Sequence, residues 1–421
     1  MNEQRYILPK DWKWVKLREV CSIHQGYGFP KNIQGVKDGK YPFFKVGDIS
    51  KNVKAGFRYL ELCENFINEQ ELIKMKAKTY PINTIVFAKI GEGLKLNRRA
   101  ILKQPGIVDN NAVGVKAVEN LCNDLFLYYF FVTVKLEDYS RATTVPSVRK
   151  SDIEEISFPL PPKPKQQAIV SKIEELFSEL DKGIEQLKNA HQQLKTYRQS
   201  VLKWAFEGKL TNENVKDGEL PEGWTMQKLN SLGTWKGGGT PSKANKAFWE
   251  SGDIFWVSPK DMKSKIIYDT IDKITSNAIR NSSAKLISKG SILFVVRSGI
   301  LRKTLPVAMT ISDVTVNQDL QAFTPNKILP DFVYWFVQAK NEDIRKKCSK
   351  DGTTVESIES SLLKNYLMPV CSSEEQIQIV QEIENRLSVS DKMEESITQS
   401  LQQAEVLRQS ILKKAFEGRL I

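Results

Sequence analysis

Three loops in the first half of the chain combine glycine with lysine or arginine, and each has a counterpart in the second half. Glycine lets a backbone approach a phosphate closely, while lysine and arginine neutralise phosphate charge and arginine can bind a guanine edge through two hydrogen bonds. Each loop alone is typical of an ordinary turn. The recurrence of all three at equivalent places predicts a shared face for binding a polyanion.

The loop pairs are 26–31 with 236–243, 89–99 with 297–303, and 141–150 with 350–354. The candidate polyanion-binding residues in and beside these loops are Lys31, Lys45, Lys89, Lys95, Arg98, Arg99, Arg141, Thr143, Thr144, Arg149, Lys236, Thr240, Ser242, Lys243, Lys260, Arg297, Arg302, Lys303, Lys350, Thr353 and Thr354.

The sequence lacks the patterns that common catalytic sites require. The Gly-Gly-Gly-Thr stretch at 237–240 has no Gly-Lys-Ser/Thr ending of a phosphate-binding P-loop. His24 and His191 are the two histidines, and no His-Glu-x-x-His occurs. We therefore predict no catalytic residue, no metal site and no cofactor bound by this chain.

Composition is ordinary for a globular protein, but the charge is not. The 421 residues suffice for two domains with cores of their own, and they carry a net charge of +12. Residues 163–211 and 376–421, the two long helical segments described below, carry +3 and −1, which leaves about +10 in the globular regions. Such an excess favours nucleic acid as the partner.

The cellular compartment of the protein can be predicted from sequence patterns that are absent. No apolar run is long enough for a membrane span, and the N-terminus has no signal-peptide pattern. The five cysteines are scattered and odd in number. We predict a cytoplasmic protein with no membrane partner.

The chain contains a long internal repeat. Residues 166–211 align with 376–421 at a constant offset of 210, and roughly 21 of the 46 paired positions are identical. Fainter echoes are Leu-Pro-x-x-Trp at 8–12 and 220–224, and Thr-Thr-Val-x-Ser at 143–147 and 353–357. The pattern predicts two similar halves, each a globular segment followed by a long helix.

Apolar residues in both repeats recur at steps of four and three, which is typical of a coiled coil. The predicted helix-pairing core is Ile169, Ile173, Leu176, Leu180, Leu187, Leu194, Val201, Ile379, Ile383, Met393, Ile397, Leu407 and Ile411. Arg386, Ser390, Ser400 and Lys414 interrupt the second copy. We expect the two helices to pair with each other in antiparallel fashion; a homodimeric coiled coil is the alternative.

The globular segments contain short apolar runs bounded by turn residues, which predict strands at 42–46, 84–88 and 112–115 and at 254–257, 291–296 and 320–323. Aromatic-rich runs at 124–132 and 331–337 predict helices. The fold class is therefore α+β, with two mixed domains separated by two long antiparallel helices and related by a pseudo-two-fold axis.

The helix repeats end in Arg-Gln-Ser-[Val/Ile]-Leu-Lys-x-Ala-Phe-Glu-Gly-[Lys/Arg]-Leu, at 198–210 and 408–420. With the Leu-Pro-x-x-Trp openings, Gly-Gly-Thr-Pro-Ser at 238–242 and Pro-Leu-Pro-Pro at 159–162, the whole chain resembles the specificity subunit of type I restriction–modification systems. One departure is 26–31, which lacks the Thr-Pro-Ser form.

The resemblance implies target-recognition domains at 1–160 and 212–370 and conserved helices at 161–211 and 371–421. Each domain would read one half of a split site in double-stranded DNA, and the helices would set the spacer and dock two modification (methyltransferase) subunits. S-adenosylmethionine, ATP and Mg would be bound by partner subunits, with restriction subunits as optional further partners. The alternatives are a coiled-coil adaptor for proteins and a self-contained DNA-modifying enzyme.

Overall fold

The computed structural model describes residues 6–140, 145–212, 214–350 and 355–421. Contacts between segments divide them into two units. Unit 1 holds the described residues up to Leu187 together with Gln399–Ile421, and unit 2 holds Lys188–Thr398. The predicted site residues Arg141, Thr143, Thr144, Thr353 and Thr354 lie outside the described part of the chain.

Unit 1 is built of short strands and short helices before one long helix. Its strands are β1 (Lys13–Lys16), β2 (Cys21–Gln25), β3 (Tyr41–Phe44), β4 (Phe66–Ile67), β5 (Ile85–Ala88), β6 (Ala100–Ile101), β7 (Ile107–Val108), β8 (Ala112–Ala117) and β9 (Ser157–Leu160). Its helices are α1 (Leu17–Val20), α2 (Val46–Lys54), α3 (Glu69–Lys74), α4 (Gly91–Lys95), α5 (Asp124–Thr133), α6 (Lys150–Glu154) and the first part of α7 (Lys163–Phe206).

Unit 2 follows the same plan. Its strands are β10 (Thr225–Lys228), β11 (Gly233–Gly237), β12 (Ile254–Val257), β13 (Ile266–Ile267), β14 (Asp272–Ile274), β15 (Leu286–Ile287), β16 (Ile292–Val295), β17 (Val307–Thr310), β18 (Val314–Val316), β19 (Leu320–Pro325) and β20 (Leu367–Val370). Its helices are α8 (Ser276–Asn281), α9 (Pro330–Ala339), α10 (Asn341–Lys347), α11 (Ser360–Asn365), the second part of α7 and the first part of α12 (Ser373–Phe416). The last part of α12, from Gln399, belongs to unit 1. Within the described residues, no helix has the length and apolar character to span a membrane.

The sheets of the two units correspond in strand order, and unit 2 has one further edge strand in each of these sheets, β13 and β15. The order β2-β8-β5-β6 in unit 1 corresponds to β11-β19-β16-β17 in unit 2, and β4-β3-β7 corresponds to β14-β12-β18. In both units a strand near the start pairs antiparallel with the strand before the long helix, β1 with β9 and β10 with β20. The six predicted strands and two predicted aromatic helices are all present, with ends shifted by up to two residues, and the α+β prediction is confirmed.

Each globular core includes the end of a long helix. In unit 1 the ring of Phe416 packs against Phe126 and Phe130, with centroid distances of 5.0 and 5.6 Å. In unit 2 Phe206 packs against Phe332 and Phe336 at 5.1 and 5.3 Å. The Ala-Phe-Glu-Gly motif is therefore a core-forming element, because it places one aromatic ring in the core of each unit.

The helix segments pair in antiparallel fashion within each unit, as predicted. In unit 1 Arg408 of α12 forms an ion pair with Asp181 of α7. In unit 2 Arg198 of α7 pairs with Asp391 of α12 at 2.6 Å. Arg198 and Arg408 occupy the same place in the repeated motif, and Asp181 and Asp391 also differ by 210, so the same cross-helix bond forms in both units.

The predicted register of the helix seam is wrong at two contact positions of the second helix. Ile169, Ile173, Val201, Ile379, Ile383 and Ile411 are buried, but Met393 and Leu407 are each 51% exposed. The residues that directly follow these two do contact the first helix. Glu394 forms a hydrogen bond with His191 at 2.9 Å, and Arg408 lies over the ring of Phe177. Glu394 and Arg408 therefore face the first helix, and a seam assigned from apolar residues alone placed their neighbours Met393 and Leu407 there instead.

Ser390 illustrates the same point. It interrupts the predicted seam, yet it is 1% exposed, and its hydroxyl donates to the Arg386 carbonyl at 2.9 Å. Leu176, Leu180, Leu187, Leu194 and Ile397 are half-buried. At Ser390, therefore, a small polar side chain continues the seam, whereas Lys414 is exposed and lies outside it.

Two residues after the end of each long helix, a glycine packs against a proline. Gly208 and Gly418 have φ of 76° and 70°, the left-handed conformation that favours glycine. A Cβ atom at Gly208 would overlap the ring of Pro221, and one at Gly418 would overlap the ring of Pro9. The proline of each Leu-Pro-x-x-Trp opening therefore packs against the glycine that follows a long helix. This contact explains why the Leu-Pro-x-x-Trp motif and the helix-end motif recur together.

The observed seam predicts different costs for two leucines of α12. Leu412→Ala should lower the free energy of unfolding by about 2–5 kcal/mol, because Leu412 is fully buried. Leu407→Ala should change it by less than about 0.5 kcal/mol, because half of the Leu407 side chain is exposed. Urea unfolding followed by circular dichroism measures both. Equal costs would contradict the register.

Two glycine substitutions in unit 1 should have opposite signs. Gly418→Ala should destabilise the protein by about 1 kcal/mol or more, because of its positive φ and the overlap with Pro9. Gly183 lies inside α7, and a Cβ atom added there would meet no other atom within 4 Å, so Gly183→Ala should stabilise by about 0.5–1 kcal/mol. Thermal unfolding midpoints of the two variants and the parent provide the comparison.

Candidate nucleic-acid interface

In unit 1 the predicted loops meet at residues 109–111, the turn between β7 and β8, which we call the central turn of that unit. The Tyr27 amide donates to the Val108 carbonyl at 2.9 Å, and the Asp109 amide donates to the Phe44 carbonyl at 3.0 Å. The first basic loop and the end of β3 are thus fixed to the central turn by backbone bonds. Lys45 follows that end of β3 directly.

The other two loops join the same turn at its last residue, Asn111. The Lys89 amide donates to the Asn111 carbonyl at 2.9 Å, and the Val148 amide donates to the Lys89 carbonyl at 2.9 Å. Arg149, next to Val148, is exposed. Loops that are separated by more than a hundred residues in the sequence are therefore neighbours in the fold, as the shared-face prediction required.

Unit 2 repeats this arrangement around its own central turn, residues 317–319. The Gly239 amide donates to the Val316 carbonyl at 2.9 Å, and the Asn317 amide donates to the Val257 carbonyl at 2.9 Å. At the last residue of the turn, the Arg297 amide donates to the Asp319 carbonyl at 3.2 Å. Arg297 also forms a β-bridge with Ser357, equivalent to the bridge of Ile90 with Ser147 in unit 1.

The glycines of these loops serve the protein's own packing. A Cβ atom at Gly26 would overlap the Asp109 carbonyl, and one at Gly238 would overlap the carbonyls of Val316 and Asn317. Glycine is therefore needed for the loop to reach the central turn. This structural reason stands beside the predicted role in approaching a phosphate, which remains a prediction.

The candidate basic and polar residues differ in accessibility. Those with exposed side chains are Lys31, Lys95, Arg149, Lys236, Ser242, Lys243, Lys260, Arg297, Arg302, Lys303 and Lys350, and those that are half-buried are Lys45, Lys89, Arg98 and Thr240. Lys95 pairs with Glu92 at 2.7 Å and Arg302 with Glu356 at 2.9 Å. Among the described residues, Lys31, Lys260, Arg297 and Lys303 form no ion pair, so their charges are open to an external anion.

Arg99 does not belong to this surface. Its side chain is 3% exposed, lies over the ring of Phe87 at 4.6 Å, and donates to Asn97 Oδ1 at 2.6 Å. Burial lowers the pKa of the Arg99 guanidinium to about 9. The prediction that Arg99 contacts DNA is therefore wrong, because a guanidinium enclosed by its own domain cannot reach a ligand at the loops.

The central turns themselves were not predicted from the sequence. Asn110 in unit 1 and Gln318 in unit 2 are exposed at the apex of these turns, and the Gln318 side chain accepts a hydrogen bond from the Thr240 hydroxyl. A signal was present: polar triplets, Asp-Asn-Asn and Asn-Gln-Asp, follow a short apolar strand in both halves at an offset of 208. Their importance follows from contacts distant in sequence.

The central turns are held by their own side chains. The Asn111 amide donates to Asp109 Oδ1 and the Asp319 amide donates to Asn317 Oδ1, each at 3.0 Å, so both are Asx-type turns. Partial burial raises the pKa of the Asp109 carboxyl. In the part of the chain that the structure describes, no group of three histidine, cysteine or acidic side chains could hold a metal ion.

The chain matches one family of proteins over most of its length. The family described as type I restriction modification DNA specificity domain matches residues 9–189 and again 221–403. The EcoR124I/EcoR124II specificity subunit of Escherichia coli is 40% identical over 197 residues, which is 47% of each chain. The EcoBI specificity subunit of Escherichia coli is 24% identical over 97% of this chain and 86% of its own length.

Two solved structures share the fold. The HsdS subunit from Thermoanaerobacter tengcongensis aligns with this chain over the full length of both proteins, with a TM-score of 0.66 at 19% identity. A chain from a study of complex assembly and conformational transition of the type I R-M system covers 99% of this chain and 100% of its own, with a TM-score of 0.72 at 19% identity. With both halves matched by the family and the loops duplicated, the chain belongs to the type I restriction–modification DNA specificity family.

Proposed function

We propose that this chain is the DNA sequence-specificity subunit of a type I restriction–modification complex, in which each unit reads one half of a two-part site. The observation that carries the proposal is the same cluster of loops, built on the same central turn, in both units. Because the frame is common and the exposed side chains differ, the two half-sites should differ in sequence. The regions 1–160 and 212–370 are the proposed reading domains, with 161–211 and 371–421 as the helical regions.

The loop side chains suit two kinds of DNA contact. Exposed lysines such as Lys31 and Lys303 would neutralise phosphates, which contributes affinity without sequence preference. Asn110 and Gln318 carry amides, which can form two hydrogen bonds with an adenine edge, and Arg297 can do the same with guanine. These three are the proposed base-reading residues.

The helices would carry the second task of such a subunit. They would fix the distance between the half-sites and dock two modification subunits, which bring S-adenosylmethionine and methylate adenine. An apolar groove of about 400 Å³ on the helix pair of unit 2, lined by Tyr197, Met393 and Ile397 among others, is a proposed part of that docking surface. Restriction subunits with ATP and Mg would be optional further partners, and the complex would be cytoplasmic.

Substitutions in the loops of unit 2 should separate affinity from specificity. Lys303→Ala should weaken binding to all duplexes alike and reduce the salt slope by about one. Gln318→Ala should cost about 1–3 kcal/mol on the cognate second half-site and little elsewhere. Lys392→Ala, an exposed position on α12, serves as the control. Fluorescence anisotropy at several salt concentrations makes the measurement, and unchanged binding by both loop variants would favour a protein adaptor.

Helix length should set the spacer. Inserting four residues after Leu187 in α7 and four after Thr398 in α12 lengthens the helix pair by about 6 Å, which corresponds to one or two base pairs. Mapping of the methylated motif should show both half-sites unchanged and the spacer longer by that amount. An identical spacer in a folded, active variant would contradict the proposal that the helices set it.

A further inference from the structure

In unit 1 a charged network links the globular domain to α7. Arg58 Nη1 donates to the Tyr129 hydroxyl at 2.8 Å and to the Glu174 carboxylate, and the Tyr129 hydroxyl also donates to Glu174. Arg58 lies in the segment after α2, Tyr129 in α5 and Glu174 in α7. The carboxylate of Glu174 therefore connects three segments that are far apart in the sequence.

Unit 2 contains a counterpart made of different residues. Lys265 Nζ lies 2.8 Å from Asp331 Oδ1 and 2.7 Å from Glu384 Oε1. The same ammonium lies over the ring of Trp335 at 5.0 Å. Burial disfavours the charged form of Lys265, but the two carboxylates outweigh it and raise its pKa. We call each network a clamp: Arg58–Tyr129–Glu174 and Lys265–Asp331–Glu384.

The two clamps occupy the same place in the fold. Glu174 and Glu384 are paired by the repeat at its offset of 210. The Arg58 carbonyl accepts from the Ile101 amide of β6 at 2.9 Å, and the Lys265 carbonyl accepts from the Met309 amide of the equivalent strand β17 at 2.7 Å. Arginine in one unit and lysine in the other thus extend from the same strand edge to the same helix position.

In each unit, one β-sheet connects the clamp to the basic loops around the central turn. In unit 1 β6 pairs with β5, and β5 leads directly into Lys89 beside the central turn. In unit 2 β17 pairs with β16, which leads into Arg297. Movement of the loops relative to the helix would therefore have to break the clamp or bend the sheet.

We propose that Arg58 and Lys265 are positioning residues that hold each reading domain at a fixed place on its helix, so that the loops meet bases at a defined spacing. The proposal rests on the proposed DNA-reading function. Exposed ion pairs contribute little to stability, and the charged side chains of the clamps are 27–47% exposed. The consequence of losing them is therefore in spacing, and the global fold should persist.

The test measures preference for spacer length. The whole chain, assembled with its modification subunit, is assayed for adenine methylation on duplexes with the native spacer and with one base pair added or removed. Arg58→Ala and Lys265→Ala should leave both half-site sequences unchanged and reduce the preference for the native spacer by about five-fold or more, the lower range of coupling between sites. Lys103→Ala, which removes a cation paired with Glu61 at 2.9 Å in the same domain, should leave that preference intact.

Two further variants distinguish the clamp from a folding effect. Tyr129→Phe removes one hydroxyl and should reduce the spacer preference partially, and Arg58→Glu combined with Glu174→Arg should restore it. Full spacer preference in folded Arg58→Ala and Lys265→Ala proteins, or no recovery in the charge exchange, would overturn the clamp. If the parent complex itself shows no half-site preference, the DNA-reading function fails instead.

Discussion

The interaction on which the structure depends is the burial of each long helix end inside a globular core. Phe416 lies among the aromatic residues of unit 1 and Phe206 among those of unit 2. A fully buried aromatic side chain contributes on the order of 2–3 kcal/mol through the hydrophobic effect. Neither domain can therefore complete its core without the helix, and the helix direction is fixed where it enters the domain.

Both units repeat further contacts between the long helices and the globular domains, in addition to the buried aromatic ring. The glycine after each helix seats on a proline of the Leu-Pro-x-x-Trp opening, and the buried side chains of Gln166 and Gln376 bond backbone groups next to α5 and α9. Farther along, the cross-helix pair of Arg198 with Asp391, and of Arg408 with Asp181, fixes the antiparallel register. These positions of the repeat are the same in both halves because each has a partner in the fold.

Much of this frame could be predicted from the sequence, because helix periodicity, the repeat and apolar runs are local signals. The seam register could not, since it depends on which polar residues find partners: Glu394 and Arg408 pair across the helices, whereas Met393 and Leu407 are half exposed. Arg99 was misassigned because burial is not visible in a basic run. The central turns were missed because their importance comes from bonds to Tyr27, Lys89 and their counterparts far away in sequence.

The measurement that tests the proposed function most directly is genome-wide mapping of N6-methyladenine in cells with and without this chain. A host that lacks other adenine methylation and expresses the cognate modification subunit gives the clearest background. We predict that one motif, made of two different half-sites separated by an unread spacer, is methylated only when the chain is present. A methylation pattern that does not depend on the chain, or a motif that is continuous, would contradict the proposed function.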